Sequence, residues 1–181
     1  MKKILHLCAD LGSDSEPYRK AGYQVAYVGK REDVRTFGVV ENVHGVIANP
    51  PCTHFSLART RAKTPRDIKG GLEIVSACLR IIYACSPKWW VLENPLGMLR
   101  RYLGRPKITI QPYWFGDSWS KQTDLWGNFN IPIFSPTRLT QEEITAMRQN
   151  TRKLQDIGLT RSDKRAIAPP SFWKAFKEVN P

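Results

Sequence analysis

The stretch that most restricts this chain is Val43 to Ala48, a short apolar run that ends in Asn49-Pro50-Pro51-Cys52. Each proline fixes its own φ and drives the residue before it out of the helical region, so the chain must leave the run through an extended corner. A cysteine just past such a corner is aimed rather than merely buried. Thr53, His54 and Ser56 follow it, which makes a polar strand end instead of a core. A second run, Trp89-Trp90-Val91-Leu92, ends in Glu93-Asn94-Pro95. A carboxylate straight after four apolar residues is an expensive place for a charge without a task. A thiol and an acid at two strand ends can make one site.

The flanking segments indicate what kind of sheet carries those ends. Ile4 to Cys8 is a compact apolar run, followed by a small polar turn, Ala9 to Ser15. Ser15 as N-cap, Glu16-Pro17 in the first turn and Gly22 as terminator predict a short helix. Tyr23 to Val28 and Val43 to Ala48 are rich in β-formers and read as strands. Residues 66 to 85 hold Ile68, Leu72, Ile74, Val75, Leu79, Ile81 and Ile82 at near-helical spacing, closed by Pro87. Leu96 to Leu103 reads as a short helix with Arg100 and Arg101 on an exposed basic face. Ile108 to Ile110 begins a strand, and Asp124 to Phe129 reads as another. Thr140-Gln141-Glu142-Glu143 is a capping box that opens a helix reaching about Asn150, and Pro169 to Phe176 reads as a final amphipathic helix. Strands alternating with helices predict a doubly wound α/β sheet, a single domain over residues 1–181, with ligands outside the carboxyl ends of the strands.

Charge points to the partner. The chain has 28 Lys+Arg against 16 Asp+Glu, a formal net charge of +12, which predicts an anionic partner, nucleic acid above all. The basic segment Arg59 to Arg66, which includes Arg61, directly follows the Cys52 loop and is placed to track phosphates, as are Arg100, Arg101, Arg105 and Lys107. The four cysteines, Cys8, Cys52, Cys78 and Cys85, contain no CxxC pair and match neither a zinc site nor a disulfide framework. Free thiols without a metal follow, with Cys8, Cys78 and Cys85 read as inert packing. Met1 to Leu5 meets His6 and Asp10 before a signal-peptide core accumulates, and no apolar stretch approaches a membrane span. A cytoplasmic protein is expected.

Pro-Pro-Cys52, Leu92-Glu93-Asn94 and the opening Leu7-Cys8-Ala9-Asp10-Leu11-Gly12 together resemble the C5-cytosine DNA methyltransferases, most closely the compact versions carried by phages and prophages. The similarity continues through Asp33-Val34-Arg35, Gln111 to Asp117 and Ser120 to Gly127. The resemblance implies a Rossmann-like sheet that uses S-adenosylmethionine, with Cys52 adding to C6 of a cytosine flipped out of double-stranded DNA and Glu93 acting on N3. It implies a cofactor site at Asp10, Leu11 and Gly12, with Asp33 at the adenine and Asn49 and Pro50 alongside. On the nucleic acid it implies Pro51, Ser56, Asn94, Lys121 and Thr123, joined by Arg59 and Arg61. It also implies a last helix, after Pro169-Pro170-Ser171, that packs beside the cofactor turn.

Three positions depart from the family pattern. Asp10 occupies a glycine position, Gly29-Lys30-Arg31 replaces the acid that holds the ribose, leaving Glu32 as its substitute, and Ser120-Lys121-Gln122-Thr123 replaces an arginine-containing motif. The long variable recognition region is absent, so residues 130–165 are the candidate recognition segment and short or relaxed specificity is expected. Backbone charge does not separate DNA from RNA, which keeps RNA as an alternative substrate. Two other readings exist. Asn49-Pro50-Pro51 also opens the motif of amino-methyltransferases acting on adenine N6 or cytosine N4, but their fourth residue is aromatic and here it is Cys52. The other is a degenerate methyltransferase fold that only binds nucleic acid.

Overall fold

The structure is a computed structural model that describes residues 1–9, 11–29, 31–57, 59, 62–153 and 167–181, and the backbone alone over 148–153. Six strands form one sheet: β1 (Lys3–Leu7), β2 (Gln24–Val28), β3 (Val43–Ala48), β4 (Trp89–Pro95), β5 (Ile108–Ile110) and β6 (Thr123–Asn128), in the order β2-β1-β3-β4-β6-β5. β1 pairs in parallel with β2 and β3, and β3 with β4, whereas β6 is antiparallel to both β4 and β5. The chain leaves β1 for β2 on one side and reaches β3 on the other. The carboxyl ends of β1 and β3 therefore flank the crevice where doubly wound sheets bind ligands.

Strands buried on both faces need helices on both faces. Leu5 and Leu7 of β1, Val46 and Ala48 of β3 and Leu92 of β4 enter one core with Val75, Cys78, Ile81 and Ile82 of helix α2 (Ile68–Cys85). The alternate residues Ile4, Ile47, Trp89 and Val91 enter a second core, with Tyr18 of α1 (Glu16–Lys20) and Phe172, Trp173 and Phe176 of the last helix. The expected doubly wound architecture is present. α2 starts where Asp67 accepts a hydrogen bond from the Gly70 amide at 2.8 Å.

Element limits differ from the sequence reading where tertiary pairing decides them. β4 runs on to Pro95 because β6 lies beside it, pairing Glu93 with Leu125 and Asn94 with Asp124. Only Arg100–Leu103 (α3) of the expected 96–103 helix is helical, since Gly97 and Met98 are engaged by the Cys52 loop. α4 (Gln141–Lys153) begins at the expected capping box: the Thr140 amide donates to Glu143 Oε2 at 2.7 Å, and the Glu143 amide to Thr140 Oγ1 at 3.2 Å. α5 (Pro170–Val179) starts at the Pro-Pro step and runs past Phe176, with both Asp117 carboxylate oxygens accepting amides from Ser171 and Phe172. Among the described residues no helix is long and apolar enough to cross a membrane.

Phe176 is fully buried and its ring meets those of Trp89, Phe129, Phe172 and Trp173. Phe176→Ala should cost about 3–5 kcal/mol, read as a lower urea midpoint with an unchanged slope.

Candidate active site

The same alternation that fills the two cores determines which polar groups converge. His6 follows the parity of Ile4, Asn49 that of Ile47, and Glu93 that of Val91. All three thus emerge on the α1 face at the carboxyl ends of adjacent strands. The turn after β1 brings a 3-10 segment, Ser13–Ser15, onto that face.

One carboxamide organises the cluster. Asn49 Nδ2 donates to Asp14 Oδ2 at 2.8 Å and to Glu93 Oε2 at 3.3 Å. Its Oδ1 lies 2.8 Å from His6 Nε2, and His6 Nδ1 lies 2.9 Å from Ser15 Oγ. Ser13 Oγ donates to Asp14 Oδ1 at 3.2 Å and accepts the Ala168 amide at 3.0 Å. Lys121 Nζ stands 3.7 Å from Glu93 Oε1. Burial raises the pKa of Glu93, opposed by Lys121 and reinforced by Asp14. Burial likewise raises Asp14, against the pull of Lys121 and its hydrogen bonds.

The Cys52 loop is stitched to the end of β4. Asn94 is fully buried and its Nδ2 donates to the Pro50 carbonyl at 2.8 Å. Beyond it Ser56 pairs with Gly97, and the Met98 amide donates to the Phe55 carbonyl at 2.8 Å. A Cβ on Gly97 would lie 2.4 Å from that carbonyl oxygen, so this backbone approach admits only glycine. Cys52 opens a 3-10 turn, Cys52–His54, after Pro51 in an extended conformation, as the corner predicts. Arg66, expected among the phosphate-tracking residues, donates instead to the carbonyls of His54 and Ser56 at 2.9 and 3.0 Å and braces the loop. Arg59 Nη2 binds Thr64 Oγ1 at 2.5 Å.

The turn after β1 is fastened to β2 by the Ala9 amide, which donates to the Val28 carbonyl at 3.0 Å. Gly12 has φ +68°, and a Cβ there would meet the Tyr27 ring at 2.8 Å, so both backbone and space require glycine. Leu11 is 42% exposed beside it. Asp33 is exposed and holds Arg35 in a bidentate pair, Nη2 to Oδ2 at 2.6 Å, which lowers its pKa to about 2. Thr123 is buried at the start of β6, and its hydroxyl donates to the Lys121 carbonyl at 3.0 Å. Asp10 and Arg61 lie outside the described residues.

Arg100 also departs from expectation and does not present a free basic face: its guanidinium is spent on the fully buried Asp124, Nε to Oδ2 at 2.6 Å, and on Thr109 Oγ1 at 2.6 Å. Cys8 packs against the first core as expected, with φ +56° and its Sγ 3.8 Å from Cys78 Sγ. That contact and burial push the Cys78 thiol up, consistent with an inert thiol. The sequence reading also missed Asp14, His6 and Ser15. The available signal was a histidine inside an apolar run, on the same strand face as a core isoleucine.

A mostly parallel sheet with one antiparallel strand near its edge, and ionisable groups gathered at the switch point, define a Rossmann-like methyltransferase fold. A solved structure described as a candidate DNA modification methyltransferase encoded within a prophage (E. coli) shares it, with TM-score 0.52 and 14% identity over 71% of this chain and 47% of that chain. The family follows from sequence. The model of the C-5 cytosine-specific DNA methylase family matches residues 13–110, and the chain belongs to that family. A 61-residue segment is 39% identical to the Type II methyltransferase M.DdeI of Desulfomicrobium norvegicum, covering 33% of this chain and 14% of that protein. The matched parts thus span less than half of either relative. The family match includes Cys52 and Glu93 but neither the Leu11-Gly12 turn nor Lys121.

Gly97→Ala should separate the two loops, at a cost of about 1–3 kcal/mol of stability. The expected readout is a lowered urea midpoint together with loss of amide-exchange protection at Met98.

Proposed function

We propose that this chain is a DNA cytosine-5 methyltransferase that attacks cytosine C6 with Cys52 and uses S-adenosylmethionine as methyl donor. The observation that most supports this reading is the Asn94 amide on the Pro50 carbonyl, which brings the thiol-bearing loop and Glu93 to neighbouring strand ends. Cytosine C5 is a poor nucleophile, and adding a thiolate to C6 loads electron density onto it. As the Cys52 S–C6 bond forms, the C5=C6 electron pair moves into the ring and N3 takes the proton of the Glu93 carboxyl. A carboxyl whose pKa is raised by burial suits that task. When bound, S-adenosylmethionine supplies an electrophilic methyl on a sulfonium, which C5 can take. Loss of the C5 proton to a base then expels the Cys52 thiolate, and N3 returns its proton to Glu93, which restores the neutral ring.

The Leu11-Gly12 turn fits the donor: it is open, passes under the crevice and rejects a side chain at Gly12. Leu11, Gly12, Asn49 and Pro50 would line the methionine side, with Asp10 in the same turn. Asp33 would share its carboxylate between Arg35 and the adenine amino group. Pro51, Ser56 and Lys121 would face the flipped base, with the buried Asn94 and Thr123 supporting the loops behind them, and Arg59 and Arg61 would face the phosphates of duplex DNA. Residues 1–181 would act as one catalytic domain, with 130–165, including α4, as a small recognition segment.

DNA carrying 5-fluorocytosine blocks the final proton loss, so incubation with S-adenosylmethionine should trap a covalent protein–DNA adduct that Cys52→Ser cannot form. Methyl transfer by Cys52→Ser at the wild-type rate would refute the mechanism. Glu93→Gln keeps the shape but has no proton to give, and should slow single-turnover methyl transfer by about 10²–10⁴-fold.

A further inference from the structure

Asp14 has no part in the mechanism above, yet it is a carboxyl only 6% exposed, set against the acid that matters. We propose that Asp14 is a positioning residue that acts through the Asn49 carboxamide to hold the Glu93 carboxyl in place and keep its proton on it. The proposal rests on the reading of Glu93 as the acid toward N3.

The geometry carries it in three steps. Asn49 Nδ2 has two hydrogens and spends them on two different carboxyls, 2.8 Å to Asp14 and 3.3 Å to Glu93, while its Oδ1 lies 2.8 Å from His6 Nε2. The two acids are therefore held on opposite sides of one nitrogen. Among the described residues, the groups around Glu93 are Asp14 from the 3-10 segment after β1, Lys121 from the segment before β6, and His6 of β1 one amide away. Asp124, on the strand paired with β4, follows the parity of Trp126 toward the opposite face and is neutralised by Arg100. One ammonium faces two buried carboxyls, so the cluster is electrically balanced when it keeps one carboxyl proton. In this proposal the proton sits on Glu93, because Asp14 takes its two donors at closer range, Asn49 Nδ2 at 2.8 Å and the Ser13 hydroxyl at 3.2 Å, whereas Glu93 takes the same amide at 3.3 Å and the Lys121 ammonium at 3.7 Å. Asp14 thus reserves the charged state for itself and leaves Glu93 the acid.

The test is a carboxyl-carbon NMR titration of protein isotopically labelled at Asp and Glu side chains, with Glu93 assigned by loss of its signal in Glu93→Gln. Glu93 should keep its protonated shift into the neutral range in the wild type. In Asp14→Asn, which preserves the hydrogen bond to Asn49 but removes the charge, its midpoint should fall by about one unit, and Asp14→Glu should recover part of that fall. In a methyl-transfer pH profile the alkaline limb should move downward by the same amount. An unchanged Glu93 midpoint in folded Asp14→Asn, or an Asp14 signal that is the protonated one at neutral pH, overturns the proposal. If Asp14→Asn does not fold, the wild type decides: the Asp14 resonance must register the Glu93 step, and its silence overturns the proposal equally. These NMR readings need no methyl transfer. A chain that never methylates DNA would refute the assigned reaction without touching the Asp14–Glu93 coupling.

Discussion

The site depends on one buried hydrogen bond, from the Asn94 amide to the Pro50 carbonyl. Proline at 51 contributes no amide of its own, so the corner must be fixed through its carbonyls and through neighbouring loops. Asn94 provides that fixing from the next strand, and Gly97 lets the following turns close to backbone contact. Arg66 completes the bracket by binding two further loop carbonyls. The thiol loop is therefore held largely through main-chain atoms, with His54 Nδ1 accepting the Asp67 amide at 2.9 Å. The side-chain oxygen of Asn94 is buried with no hydrogen-bond partner among the described residues.

A second constraint is the economy of charge. The chain carries a large positive excess, yet the described basic groups nearest the site are not all available for phosphate. Arg100 locks Asp124, Arg66 braces a loop and Arg35 holds Asp33. Lys107 donates to the Phe129 carbonyl and lies over that ring. A basic composition thus serves two purposes, and only the cations that are not paired with a carboxylate add their full charge to an external field.

Much of the fold was legible because it rests on local pattern. The Val43–Ala48 strand, the 68–85 helix and the Thr140 capping box follow from apolar spacing and cap chemistry, and β3 ends where the Pro-Pro corner requires. The placing of Cys52 and Glu93 at strand ends was equally readable. Pairings between distant segments were not. Arg100 looked solvent-facing because Asp124 stands on a strand whose register is set only when β6 docks on β4. Asp14 looked like an ordinary acid in a turn, since its partner Asn49 is reached only after two strands lie side by side.

The last helix has a consequence for how the molecule is made. Ala168 closes onto Ser13 across 155 residues, and the Tyr18 hydroxyl reaches the carbonyl of Asn180 across 162. Contacts of such sequence separation form late and slowly, because the intervening chain must already be ordered. During synthesis the sheet can assemble behind the ribosome while the turn after β1 still lacks its final brace. The crevice would then mature only once residues 168–180 have emerged. A chain truncated before Ala168 would keep all six strands but lose the contacts to Ser13 and Tyr18 that brace the turn after β1 and the helix behind it.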